Sequence, residues 1–333
     1  MENFPVDIVL PWVDGSKNSW RERFYVFNGD KTIDERRYRD FGLLDFVLYG
    51  IEINMPWVNS IFLITDNQTP NFKLPPNVII VDHSEIISKE KLPVFNSNSI
   101  ELSCYKIKQL SEHFILFNDD IFVLKRMKKD DFFDKNGQPR DNGAMLCRSP
   151  MNEFEHTVLN NLIIINKLIN KKDMIRKYWD KFFNIQYGRY ALKSILTVPW
   201  FGITGWHDFH LPVAFKKSSF MDLSTRIPRI WDEQLNRRTR SKEDISPWIV
   251  RYWQLANGDF IPTRVDLYGK MIELKDGINI QDLMLQFSSN KILCLNDDIS
   301  DDLEYIRIKK KLRIVINKYF EMNGIEIDEK SVR

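Results

Sequence analysis

The chain has 333 residues, 43% of them hydrophobic and 13% aromatic, and 48 Lys and Arg against 46 Asp and Glu give a formal net charge of +2. That composition is globular, excludes a disordered chain, and carries no electrostatic footprint for nucleic acid. Cys104, Cys147 and Cys294 are scattered, the start Met1-Glu2-Asn3-Phe4-Pro5 lacks a basic or apolar signal region, and no apolar run approaches the ~18 residues of a membrane span, so a cytoplasmic setting is expected.

Taken in order, the apolar run from Asp7 to Val13 predicts a first strand that leaves into Asp14-Gly15-Ser16, a turn whose glycine lets backbone approach a ligand closely. Phe41, Leu44, Leu48, Ile51 and Met55 recur at spacings of three and four, which predicts a helix over 34 to 54. Arg36, Arg37 and Arg39 at its start oppose the helix dipole; a phosphate partner would explain them, although solvated charge is the commoner reason for any single arginine. Strands over 60 to 65 and 78 to 82 follow Pro56-Trp57. Asn98 and Glu101 then show capping-box spacing for a helix carrying Ile100, Cys104, Ile107 and Leu110. This β-α-β-β-α-β order makes residues 1 to 124 a unit close to a nucleotide-binding half-domain, within an α/β half that runs from 1 to 150.

After a charged, turn-rich stretch, Ala144 to Cys147 predicts a short strand returning to the sheet, and the basic, helically patterned residues 151 to 194 predict a helical insertion or lid. Residues 195 to 300 complete the main domain. Within them His207 and His210 have a zinc-compatible spacing if helical, but no third ligand lies near, so a histidine acting as base or phosphate partner competes with one satisfied in an aromatic core. Ser246-Pro247 predicts a helix start, with Arg237, Arg238 and Arg240 leading into it, and Asn257-Gly258 predicts its end. The tail, 301 to 333, reads as a helix with Ile306, Leu312, Ile316 and Phe320 on one face and a basic run from Arg307 to Arg313. Such a helix packs on its own domain, or docks peripherally on a membrane or a second subunit.

The run Phe114 to Leu124 organises the rest, because Asn118-Asp119-Asp120 interrupts two blocks of apolar residues. Buried carboxylates desolvate at a cost of several kcal/mol unless a cation meets them. A hairpin turn is the plain alternative. Other apolar runs also end in acids, at Asp14, Asp66-Asn67, Asp82-His83 and Asn296-Asp297-Asp298. The expectation is an α/β fold with a mixed, mostly parallel central sheet, Rossmann-like or GT-A-like, whose strand ends share one ligand-binding rim.

These blocks together resemble the Stealth family, the bacterial capsular-polysaccharide hexose-1-phosphate transferases and a related animal phosphotransferase. The resemblance rests on Asp7-Ile-Val-Leu-Pro-Trp-Val-Asp-Gly15, on the span from Arg39-Asp40 through Ile64-Thr65-Asp66-Asn67 and Asn96-Ser97 to Asn118-Asp119-Asp120, on His210-Leu-Pro-Val-Ala-Phe-Lys216 with Arg238-Thr239-Arg240, and on Cys294-Leu295-Asn296-Asp297-Asp298. It departs at Pro11, where the family commonly has threonine. The resemblance implies transfer of a sugar 1-phosphate from a nucleotide-sugar of the UDP-hexose or UDP-N-acetylhexosamine type to a hydroxyl of a glycan or lipid-linked oligosaccharide, with release of a nucleoside monophosphate. It implies Mg²⁺ or Mn²⁺ at Asp119 and Asp120, His210 as base with Asp120 and Arg240 in the chemistry, and substrate contacts from Trp12, Asp14, Gly15, Arg39, Asp66, Asn96, Lys216 and Arg238. Two rivals stand beside it: a glycosyltransferase of similar fold releasing a nucleoside diphosphate, and a non-catalytic carbohydrate-binding protein using the aromatic 195 to 210 region.

Overall fold

A computed structural model describes residues 4–28, 38–151 and 155–323. In chain order the strands are β1 (Val6–Pro11), β2 (Ile61–Thr65), β3 (Val78–Asp82), β4 (His113–Leu116), β5 (Ile121–Val123), β6 (Arg140–Asp141), β7 (Val213–Lys216), β8 (Ile261–Pro262), β9 (Gly269–Leu274) and β10 (Ile292–Asp297). The central sheet has the order β3-β2-β1-β4-β7, with the first four parallel and β7 antiparallel to β4. From β1 the chain steps out to β2 and β3 on one side, then returns to β4 on the other. That reversal opens a crevice beyond the carboxyl ends of β1 and β4, where open α/β sheets bind ligands.

Both faces of this sheet are covered, which is why its strands are continuous Ile, Val and Leu runs. Successive residues of β1 point to opposite faces. Ile8 and Leu10 join a core with Phe46, Val47 and Ile51 of the helix Leu44–Asn54 and with Leu312 and Ile316 of the helix Asp302–Met322. Val9 joins the other core, with Phe114, Leu162, Ile165 and Ile249. At the amino edge, fully buried Asp7 accepts from Asn59 Nδ2 at 2.8 Å and from the amides of Ser60 and Ser111 at 3.1 and 2.7 Å, fastening two loops to β1.

A second sheet, β5-β10-β9, departs from expectation in a way that matters for the site. The run ending in Asn296-Asp297-Asp298 is not part of the parallel sheet; β10 pairs antiparallel with β5, and so carries its acidic exit to the same crevice from the other side. Asn118-Asp119-Asp120 is therefore no hairpin turn, but a crossing from the first sheet into the second. Ala144 to Cys147 forms no strand of the central sheet; a single bridge joins Met145 to Trp206. The helix expected from 34 begins at Leu44, and Arg36 and Arg37 lie outside the described residues.

Caps also moved. Asn96, not Asn98, caps the helix Ser97–Ser103, accepting from the Asn98 amide. Ser246 does not cap the helix Trp248–Ala256, because its hydroxyl and amide are taken by Asn161. His207 and His210 lie in irregular chain, so helical zinc spacing does not arise. In the tail helix, Ile308 takes the buried place expected of Ile306, which is 49% exposed. Within the expected insertion or lid, the helix Glu155–Leu168 buries Val158, Leu162 and Ile165 in the second core.

Candidate active site

The crevice is a cleft of about 830 Å³, within the size range of small-molecule sites. Its floor is the end of β4. Asn118, Asp119 and Asp120 follow β4 after Phe117, and Asp120 is fixed because its carbonyl accepts from Leu295 N of β10 at 2.9 Å. The thiol of Cys294 donates to Asp120 Oδ2 at 3.3 Å, while Asp120 Oδ1 is buried without a partner among the described residues. His210 stands opposite: one ligand atom each of Asp120, His210 and Cys294 lie within 4.8 Å of one another.

His210 is delivered by β7. Because β7 runs antiparallel to β4, Val213 pairs with Leu116 at the carboxyl rim and Lys216 pairs with His113 at the opposite edge. The residues preceding β7 thus enter the cleft. Their loop is held by fully buried Arg251, which donates to Asp141 through Nε and Nη2 and to Asp208 through Nη1, all at 2.8 Å, with Tyr252 Oη donating to Asp208 at 2.6 Å. Arg251 also sits 4.7 and 4.8 Å from the ring centres of Phe209 and Trp248. An arginine with two buried carboxylates and two aromatic faces is a rigid anchor.

Among the described residues eight carboxylates line the cleft against three guanidiniums and no lysine. Burial pushes the Asp119 carboxyl well up, and the neighbouring Asp120 and Asp40 add to it. Burial also raises Asp120, with His210 pulling the other way. Glu101 is pushed up to about 7 by burial, opposed by Arg240. The Cys294 thiol is driven well above its ordinary value by burial and then by Asp120, so it stays protonated and acts as a donor. Crowded acids of this kind favour a bound cation.

Other expected residues divide into those the fold brings here and those it does not. Trp12 lines the cleft, its Nε1 donating to Asp40 at 3.4 Å. Arg39 lines it too, but its guanidinium is forked onto Asp297 at 2.9 and 3.0 Å and donates to Ile299 O at 2.8 Å. Arg240 lines it with Nη2 donating to Ser97 Oγ at 2.8 Å, and no ion pair holds it among the described residues. Lys216 is corrected: it pairs with Asp259 at the far edge of the sheet and does not reach the cleft. Gly15 is needed for the close approach of the Tyr38 backbone, not of a ligand; a Cβ there would lie 2.4 Å from Tyr38 O.

Asp14 turns back to accept from Ser16 N at 3.0 Å, Asp66 accepts from Arg23 at 2.7 Å, and Arg238 donates to Glu90 O, all outside the cleft lining. Fully buried Asn96 holds Asp244 at 2.9 Å and Thr239 O at 3.2 Å, which positions the loop bearing Arg240. His207 is structural, stacked on Tyr190 with centroids 4.2 Å apart and facing Asp266 at 3.9 Å. Sequence reasoning missed Glu101 and Arg251 as parts of the site. The signal for Arg251 was present, since a lone arginine inside Ile249-Val250-Arg251-Tyr252-Trp253 must be paired if that helix is buried.

Residues 37–141 match Stealth protein CR2, conserved region 2. The chain is 37% identical over 305 residues to a capsular polysaccharide phosphotransferase WcwK of Streptococcus pneumoniae, covering 89% of this chain and 90% of the relative. It is 34% identical to the exopolysaccharide phosphotransferase cps2G of Lactiplantibacillus plantarum, over 93% and 92% of the two chains, and 31% identical to the receptor polysaccharide phosphotransferase WefC of Streptococcus gordonii, over 88% and 90%.

Proposed function

The chain belongs to the Stealth family of polysaccharide phosphotransferases, and from that premise we propose that it moves a sugar 1-phosphate from a nucleotide-sugar of the UDP-hexose type onto a hydroxyl of a capsular or cell-surface glycan. The acceptor oxygen forms a bond to the phosphorus that bears the sugar, and the bond from that phosphorus to the nucleoside monophosphate breaks. The observation that carries this reading is Asp120 on the cleft floor, with Oδ1 lacking a partner among the described residues and with a carboxylate oxygen within 4.8 Å of a ring nitrogen of His210.

The donor set fits a hard divalent cation. Asp119 and Asp120 offer carboxylate oxygens, the ligand type that Mg²⁺ and Mn²⁺ prefer, and the thiol of Cys294 donates to Asp120 at 3.3 Å. When bound, such an ion neutralises charge on the diphosphate oxygens. His210 takes the proton of the attacking hydroxyl, a role worth about 10²- to 10⁴-fold. Arg240 donates to the phosphoryl oxygens as charge builds there. Trp12 supplies an apolar wall at 7% exposure, and Asn96 and Arg251 keep the arginine and histidine loops in place.

The test is to incubate the protein with a panel of nucleotide-sugars and a short glycan, and to weigh the products. A glycan gaining a sugar phosphate with release of a nucleoside monophosphate is expected. Release of a nucleoside diphosphate would make the enzyme a glycosyltransferase, and no turnover with any donor would leave a carbohydrate-binding protein.

A further inference from the structure

The helical insertion buries one side and leaves another that nothing among the described residues covers. From Leu192 to Phe201 six apolar side chains are exposed: Leu192 67%, Ile195 53%, Leu196 70%, Val198 46%, Trp200 54% and Phe201 96%. A patch of this kind on a folded chain marks an interaction surface. It is held out deliberately by a buried cation, since Lys171, 4% exposed, donates to the carbonyls of Thr197 and Trp200 at 2.6 and 2.9 Å. Those bonds fix the backbone that presents Trp200 and Phe201.

The surroundings say what the patch meets. Exposed Lys193 lies within the run, Lys172 follows the clamping Lys171, and Lys167 follows Asn166, whose Nδ2 donates to Ile203 O at 2.9 Å just past Phe201. Between 167 and 193 the exposed charges are Lys167, Lys172, Arg176, Lys177, Arg189 and Lys193 against Asp173 and Asp180. Exposed tryptophan, phenylalanine and leucine in a segment whose exposed charges are mostly basic suit the interface of an anionic bilayer, where the rings enter the headgroup boundary and the ammonium groups meet phosphate. A second copy of the chain would face the same excess of positive charge. The patch also lies beside the cleft: Arg148 lines both the cleft and a groove of about 520 Å³ that Trp200, Ile163 and Ile203 line. No helix among the described residues is long and apolar enough to cross a membrane, so attachment here would be from the surface.

We propose that the insertion face centred on Trp200 and Phe201 docks the protein on anionic phospholipid, with the cleft mouth turned toward the bilayer. The inference does not rest on the phosphotransfer chemistry, and its test needs no turnover. The full chain is sedimented with vesicles of phosphatidylcholine and phosphatidylglycerol in equal parts, and with phosphatidylcholine alone. Binding is expected to the anionic vesicles and to weaken with added salt. A Trp200→Ser/Phe201→Ser variant and a Lys167→Gln/Lys172→Gln/Lys193→Gln variant should each partition on the order of 10²-fold less. Both change exposed side chains outside the cleft lining, so their melting temperatures and their turnover of a water-soluble glycan should match the parent. No binding to anionic vesicles overturns the proposal. So does binding that survives both variants but is lost on Lys310→Gln/Lys311→Gln, which would place the contact on the C-terminal helix. So does a dimer in lipid-free light scattering that Trp200→Ser/Phe201→Ser abolishes, which would make the face an interface between copies.

Discussion

Replacing Arg251 by methionine should cost more stability than any other single change near the site. The side chain is 0% exposed, and its guanidinium makes three charged hydrogen bonds of 2.8 Å, two to Asp141 and one to Asp208, plus bonds of 3.1 Å to Asn142 O and His207 O. Methionine fills much of the volume between Phe209 and Trp248 but leaves two carboxylates desolvated with their main cation gone. Breaking a buried pair by removing one partner costs about 3 to 5 kcal/mol. Two pairs share this arginine, so their losses do not simply add, and the upper half of that range is the expectation. Urea unfolding followed by circular dichroism measures it as a lower midpoint at unchanged slope. Restoring neutrality with Asp141→Asn and Asp208→Asn in the methionine background should recover part of the loss, because the penalty lies in the stranded charges. A loss of no more than about 1 kcal/mol, the worth of an exposed ion pair, would refute the reasoning. Transfer activity should fall as well, since Asp208 is two residues from His210.

Chelator should abolish transfer and added Mg²⁺ or Mn²⁺ restore it, while Asp120→Asn should lower the rate by orders of magnitude with the fold intact by circular dichroism; full activity in chelator would remove the cation assignment. His210→Ala should cut transfer at saturating donor by at least about 10²-fold with donor affinity near that of the parent, whereas His207→Ala should lower the melting temperature more than the rate. If His210→Ala weakens donor binding but keeps its saturated rate, the histidine is a phosphate ligand and not the base. Glu101 gives a pH signature of definite sign. Its folded pKa of about 7 lies above the ordinary 4.5, so the native state holds the extra proton between those values and stability falls as pH rises through that window. Glu101→Gln should therefore raise the melting temperature relative to the parent above pH ~7 and have little effect near pH ~4.5; a difference that is flat with pH would contradict the burial of that carboxylate.

Much of the rim was legible because parallel strands buried on both faces write themselves as apolar runs with polar exits. Asp119 and Asp120 were found that way. Strand direction was not legible. The period of β7 is the same whether it runs parallel or antiparallel, yet direction decides whether Lys216 or the residues before Leu211 reach the cleft. Here the antiparallel pairing sends Lys216 away and brings His210 in. The structural partners of short polar residues were not legible either. Asn96, Asp14 and Asp66 serve as caps and anchors for Asn98 and Asp244, for Ser16, and for Arg23. Asparagine and aspartate suit backbone capping as well as ligand contact, and a partner such as Asp244 is 148 residues away in the chain.

The pairing of Cys294 with Asp120 joins the two sheets chemically as well as structurally. β5 and β10 place the thiol beside the carboxylate in register, with Cys294 opposite Ile121, the residue after Asp120. A histidine or a second acid at 294 would add a ligand or a charge to a floor already crowded with carboxylates. The buried thiol does neither: it remains protonated and spends its one donor on Oδ2. Asp120 is thereby oriented through one oxygen while the other is buried with no protein partner among the described residues. An orienting group that is weak, neutral and apolar in volume leaves the carboxylate able to meet a hard cation with its full charge. The floor is thus assembled from two directions: the crossing between β4 and β5 sets Asp120, and the loop before antiparallel β7 brings a ring nitrogen of His210 within 4.8 Å of one of its carboxylate oxygens.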